Sequence, residues 1–184
     1  MSAMKSSPNP IRRGLISWLA APLVAPLASA AAPAPRGRTA EPGEGLRDVA
    51  MRGLNGPDRA LSDYFRAPLL INVWASWCGP CRAEMASIER LAWMPADPAF
   101  QIIGISTDDD ESAAKRLLAS TRATLPHFID RRLELETLLG ASRIPLTVIV
   151  GVGGTLLERI VGAQAWDSPA SVERIRQALR SRRA

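Results

Sequence analysis

The chain has 184 residues, 47% of them hydrophobic, and a formal charge of +5. That length suits one domain plus extras, and the apolar fraction excludes a body that is intrinsically disordered. Lys5, Arg12 and Arg13 supply three positive charges before Glu41, the first acid, so residues 31–184 carry only +2 (5 − 3). No basic stripe with interleaved aromatics runs through them, which argues against a nucleic-acid partner.

The first thirty residues read as an export signal. The three basic residues form an n-region, Leu15 to Leu27 an apolar stretch, and Ala28-Ser29-Ala30 a small-residue cleavage site. Counted on to Ala32, the apolar run reaches about 18 residues, so retention as an N-terminal anchor is the alternative. Pro22 and Pro26 inside it favour cleavage. Either way the folded part is expected outside the cytoplasm, in a bacterial periplasm. Residues 31–45, rich in Pro, Gly and charge, read as a flexible linker, and residues 46–184 as the folded domain.

Leu69 to Val73 is a continuous apolar run, as in a strand buried on both faces. Pro80 stands at the start of a helix in which Met85, Ile88, Leu91 and Ala92 recur at helical spacing. Phe100 to Ser106 is a second buried strand. Thr107 and Asp108 are placed to cap a helix running through Lys115 to Ser120, and Arg131 to Leu139 reads as another. Leu146 to Val150 is a β-branched strand, Gly151 to Gly154 its turn, and Leu156 to Val161 its antiparallel return. Ser168-Pro169 opens a last helix to about Leu179. The order predicts an α/β fold whose mixed sheet starts parallel, ends in an antiparallel hairpin and is flanked by helices.

The chain holds two cysteines, Cys78 and Cys81, both inside "NVWASWCGPCRAEM". A closed zinc site needs four ligands, and the only further soft ligand is His127, read here as an ordinary surface or strand-end residue. Two thiolates suffice for Cu(I), so a copper carrier stays open. A structural staple is weak, because a crosslink across so short a loop removes little chain entropy. The redox reading gains from the setting. A strand-to-helix junction puts Cys78 at a helix N-terminus, which favours a thiolate, and puts Cys81 one turn onward, where it can resolve a mixed disulfide. Gly79 permits the tight turn, and Pro80 fixes φ where a missing N–H does no harm.

"WCGPC" is the thioredoxin active-site sequence, and the longer match resembles the exported TlpA/ResA/CcmG-type branch of thioredoxin-like thiol–disulfide oxidoreductases. The likeness rests on "LNG", "LSDYF", "LLINVWASWCGPCRAEM", "ISTDDDE" and "RIPLTVIVGVGGTLLERIVG", and spans about Leu46 to Leu179. It implies a thioredoxin-like fold, with Cys78 as nucleophile and Cys81 as resolving thiol. Ile144-Pro145 then takes the family's cis-proline position beside the cysteines, where the backbone of Ile144 faces a substrate chain. Asn72 falls where cytoplasmic thioredoxins carry a buried Asp. Proton handling then passes to Glu84, whose alternative is a solvated helix carboxylate. Trp77 joins the docking surface with Gly79 and Pro80, while Trp74, Trp93 and Trp166 read as packing.

A peroxidase site fails on inspection, because Ile71 and Ala75 stand where its Pro and Thr belong. The C-x-x-x-C of related copper proteins is also missing. Gly-Pro between the cysteines is the dipeptide of a reducing thioredoxin, about 150 mV below the strongly oxidising relatives. The expectation is therefore a disulfide reductase without metal or cofactor. Its partners would be exported disulfide-containing substrates (apocytochrome c or copper-site assembly proteins) and a membrane-bound electron donor. The domain looks self-sufficient, so a monomer is expected.

Overall fold

The computed structural model describes residues 37–95 and 99–181. The proposed leader and its cleavage site lie outside the described residues.

Among the described residues seven strands form one sheet: β1 (Ala50–Gly53), β2 (Arg59–Ala60), β3 (Leu69–Trp74), β4 (Gln101–Ser106), β5 (His127–Ile129), β6 (Leu146–Val150) and β7 (Leu156–Val161), in the spatial order β2-β1-β5-β4-β3-β6-β7. β3, β4 and β5 run parallel, whereas β6 pairs antiparallel with β3 and β7 antiparallel with β6. The sheet is mixed and thioredoxin-like, as the sequence predicts.

All six residues of β3 are buried, because helices cover both faces of the sheet. On one face lie α1 (Gly79–Ala92), α2 (Glu111–Thr121) and α4 (Pro169–Arg180). Ile88 and Leu91 of α1 and Val172, Ile175 and Leu179 of α4 pack on Leu70, Ile102, Ile149 and Ile160, while Met85, Ala114 and Leu118 pack around Trp74 and Ile129. On the other face, Leu135, Leu138 and Leu139 of α3 (Glu134–Leu139) and Leu61 of a 3-10 turn (Leu61–Tyr64) meet Ile71, Val73, Ile103 and Val148. Strand alternation therefore assigns Asn72, Trp74, Gly104, His127 and Thr147 to the α1 side. The register sets Thr147, Asn72, Gly104 and His127 in one row across four strands.

Several boundaries differ from the sequence reading. The stretch read as linker is in place from Thr39 onward. Its Oγ1 donates to Thr137 O, Ala40 is buried and donates to Leu138 O, and Gly43 donates to Leu156 O. Backbone hydrogen bonds, to which composition is blind, anchor it. Asp110, not Thr107 or Asp108, caps α2, its Oδ1 accepting from Ser112 N at 2.8 Å. α3 starts at Glu134 rather than Arg131, because the Asp130 carboxyl accepts from Glu134 N and Glu136 N and holds the chain out of the helix until Leu133. β1, β2 and β5 were not anticipated. They are short, and the first two present Arg52 and Arg59 to solvent. Ala92 is exposed at the end of α1, and Trp93 is not packing: it is 78% exposed just beyond the helix.

Candidate active site

β3 ends at Trp74, and after four intervening residues α1 begins at Gly79. Cys78 is the N-cap of that helix. Its backbone is extended (φ −81°, ψ 104°), its carbonyl accepts from Arg82 N, and its Sγ accepts from Cys81 N at 3.2 Å. A sulfur in that position receives an unpaired N–H of the first turn together with the positive end of the helix dipole, both of which favour a thiolate. Gly79 and Pro80 occupy the first two helical positions, both exposed, where proline's missing N–H leaves no bond unmade. Cys78 and Cys81 are joined as a disulfide with Cα atoms 5.3 Å apart. Cys78 is 6% exposed and Cys81 1%, so the first thiol is the one a partner can reach.

Trp77, 70% exposed, stands beside the disulfide. Ile144 is half-buried and packs against the cluster that holds both cysteines, Trp74 and Met85. Pro145 follows through a cis peptide bond, is buried, and accepts from Gly162 N at 2.8 Å. The chain thus brings Trp77, the cysteine pair and Ile144 to one end of the sheet from segments 67 residues apart (144 − 77).

The loop before Cys78 is held by a residue that the sequence reading assigned to a cap. Asp108, 2% exposed, accepts from Ser76 N at 2.9 Å, Ser76 Oγ at 2.6 Å and Ser106 Oγ at 2.7 Å. Its acidic neighbours Asp109 and Asp110 masked it: in sequence, any of the three could cap α2.

Glu84 is 3% exposed, not a solvated helix carboxylate. Oε1 accepts from Asn72 Nδ2 at 2.8 Å; Oε2 accepts from Gln164 N at 3.0 Å and from Trp166 Nε1 at 3.0 Å. Asn72 Nδ2 also reaches Thr147 Oγ1 at 3.1 Å. Burial raises the Glu84 pKa above the usual carboxylate value, and the three donors only partly oppose it. Trp166 is buried, as a packing residue would be, but its indole N–H serves Glu84. No sequence signal links the two.

His127 is a strand-end residue, as expected, but it is buried and not at the surface. It is 5% exposed, the first residue of β5, and Nδ1 accepts the indole N–H of Trp74. Since that indole can only donate, neutral His127 carries its proton on Nε2, the one buried side-chain polar atom without a partner among the described residues. Burial pushes its pKa down to about 4. Among the described residues no group of three or more His, Cys, Asp or Glu side chains is arranged to hold a metal ion.

A buried C-x-x-C disulfide opening a helix, on a mixed sheet flanked by helices, is the arrangement of a thiol–disulfide oxidoreductase of the thioredoxin-like class. The profile of the Redoxin family matches residues 39–179, and the chain belongs to that family. It is similar to the thiol-disulfide oxidoreductase ResA of Geobacillus kaustophilus, 24% identical over 115 residues, which are 62% of this chain and 66%, about two thirds, of that relative. Among solved structures it resembles a Chlorobium tepidum protein provisionally assigned as thiol:disulfide interchange protein DsbE. The TM-score is 0.65 at 25% identity, over 75% of this chain and 94% of that one. The exposed lipoprotein thioredoxin Etrx1 of Streptococcus pneumoniae shares the fold, with a TM-score of 0.63 at 21% identity over 71% of this chain and 99% of its own. Among the described residues, no helix is long and apolar enough to cross a membrane.

Proposed function

We propose that this protein is a periplasmic protein-disulfide reductase. The observation that carries the reading is the asymmetry of the pair: Cys78 caps the helix with its sulfur on an N–H, and Cys81 is sealed behind it. In the reduced protein, the Cys78 thiolate attacks one sulfur of a substrate disulfide, and the other sulfur leaves as a thiolate and is protonated. Glu84 takes the proton of Cys81. The Cys81 sulfur then attacks Cys78, the bond from Cys78 to substrate breaks, and the second substrate sulfur departs with its electron pair. The Cys78–Cys81 disulfide that remains is the state described here. No cofactor or metal takes part. Trp77, Gly79, Pro80 and Ile144 form the surface on which the substrate strand lies, with buried Pro145 behind Ile144.

The Gly-Pro dipeptide supports the reducing direction, and an electron supply from a membrane-bound donor regenerates the dithiol. The first thirty residues act as the export signal, either removed or kept as an anchor. Substrates are exported proteins with disulfides, either the oxidised haem-binding C-x-x-C-H segments of apocytochromes c or copper-site assembly proteins whose thiols have been oxidised to a disulfide.

The test is a covalent trap in the native host. With Cys81→Ser, Cys78 attacks but the complex cannot resolve. An apocytochrome on Cys78 assigns the protein to cytochrome c maturation, and a copper-site protein to oxidase assembly. Many unrelated exported proteins would mark a general reductant. No adduct, together with stoichiometric copper on the wild type, would overturn the reductase in favour of a Cu(I) carrier.

A further inference from the structure

Between β7 and α4 the chain runs Gly162-Ala163-Gln164-Ala165-Trp166-Asp167. This loop is fastened to α1 at two levels. Ser87 Oγ accepts from Trp166 N at 3.2 Å and donates to Glu84 O at 2.7 Å, and the Gln164 N–H and the Trp166 indole converge on Oε2 of Glu84. Trp166 is 1% exposed, so its N–H has no water to turn to. A phenyl ring would fill much of the same space, yet the residue here has a donor aimed at a carboxyl oxygen.

We propose that Trp166 is a positioning residue for Glu84: its indole N–H, with the Gln164 backbone, fixes Oε2 and supports the ionised carboxylate that receives the Cys81 proton. The inference rests on the role given to Glu84 above. All three partners of this carboxyl are donors, an arrangement that suits the ionised form, while burial opposes it. The groups facing Glu84 are Asn72 of β3, Thr147 beyond it on β6, Ser87 of its own helix, and Gln164 and Trp166 of the loop; none of them carries a charge. Arg90 and Asp167, which flank the same loop–helix contact, are paired with each other at 2.6 Å. Cys81, three positions before Glu84 on α1, is its titratable neighbour on that helix once reduced. Burial pushes the titration of this group up, and hydrogen bonds from neutral donors partly offset it; Trp166 supplies one of three.

The proton balance of the resolving step makes this measurable. Cys81 can pass its proton to Glu84 only while Glu84 is ionised, so the rate of resolution falls on the acid side as Glu84 becomes protonated. Trp166→Phe keeps the ring and removes the donor. A hydrogen bond to a charged group is strong enough that its loss moves the acid limb, and the Glu84 titration seen by carboxyl carbon NMR, up by about one pH unit. Below the limb, resolution slows about tenfold at fixed pH. A merely structural tryptophan would lower stability or rate at every pH and leave both midpoints where they were. Glu84→Gln separates the layers. If the acid limb survives in that variant, the role of Glu84 fails; if it vanishes there but Trp166→Phe leaves it in place, Trp166 alone is overturned. Should Trp166→Phe not fold, the wild type still answers. Its indole 15N–1H resonance must move with the Glu84 midpoint, and a resonance indifferent to pH while the carboxyl titrates overturns the proposal.

Discussion

The indole N–H of Trp74 donates to Nδ1 of His127 at 3.1 Å, with the two rings edge to face and their centroids 5.5 Å apart. The pair ties the end of the strand that delivers the cysteines to β5, two strands away. Its geometry requires neutral histidine, since a second proton would set N–H against N–H.

That requirement makes stability depend on acid. In the unfolded chain His127 takes up its proton near pH 6.5, whereas in the fold it does so only at about 4, because burial outweighs the attraction of Glu89. Between those values the unfolded chain binds more protons, so stability is lost as pH falls, about 3 kcal/mol in all from this group. His127→Phe should be less stable at neutral pH, leaving Trp74 without its acceptor, but should lose less on acidification. Denaturant titrations from pH 7 to pH 4 check it, and parallel curves for the two proteins would count against the assignment.

Gly104 is the reason the pair fits. A Cβ there would lie 2.0 Å from Nδ1 of His127 and 3.0 Å from Nε1 of Trp74. Gly104→Ala is expected to destabilise by about 3 kcal/mol, the upper range for overpacking. Adding His127→Ser should recover part of that loss, and thermal melts of the single and double variants would report the coupling.

Asp108 should matter for a different reason. Replacing it by Ala strands the donors of Ser76 and Ser106 in a buried site, a loss of about 3 kcal/mol. Asp108→Asn keeps one carbonyl acceptor and should fall between Ala and the wild type. Both variants should also slow the attack of Cys78 on a disulfide, since Ser76 lies two residues before it. A stopped-flow assay with a small disulfide would show whether rate and stability decline in the same order.

Glu84 behaves with the opposite sign from His127. Its folded pKa is raised by burial, so the native state holds the proton more tightly than the unfolded chain, whose carboxyl titrates near 4.5. Stability is therefore lost as pH rises from about 4.5 through the folded value. Glu84→Gln, with Asn72 turning its amide to present the oxygen, escapes that loss. The variant should gain on the wild type as pH rises toward neutrality, even as its resolving step fails. Urea midpoints measured at pH 4 and pH 7 test the crossover.

Much of the site was legible because its signals are local. WCGPC sits between an apolar run and a helical repeat, and those few residues place the cysteine pair and the turn between them at the start of α1. The sheet was legible in β3, β4, β6 and β7, where β-branched or apolar runs are long enough to register. His-Phe-Ile is too short to be read as β5, and Arg52 and Arg59 disguise the edge strands. What surrounds the thiols was not legible, for a common physical reason. Asp108 meets Ser76 across 32 residues and Trp166 meets Glu84 across 82, so the partner of each polar group is fixed by how layers stack, not by spacing. Trp93 and Trp166 look alike in sequence, yet one faces solvent and the other closes the carboxyl site.

The fastening of the 162–167 loop to α1 bears on where the chain can be cut. By Val161 all seven strands, both cysteines and Pro145 have been laid down, and a fragment ending there would pass as a finished oxidoreductase domain. It would lack the two groups that bind Oε2 of Glu84 and the helix that covers Ile149 and Ile160, leaving a buried acid on the single donor of Asn72. The last twenty-odd residues complete the interior of the site from the back, so a boundary drawn from the sheet and the cysteine motif would sever it.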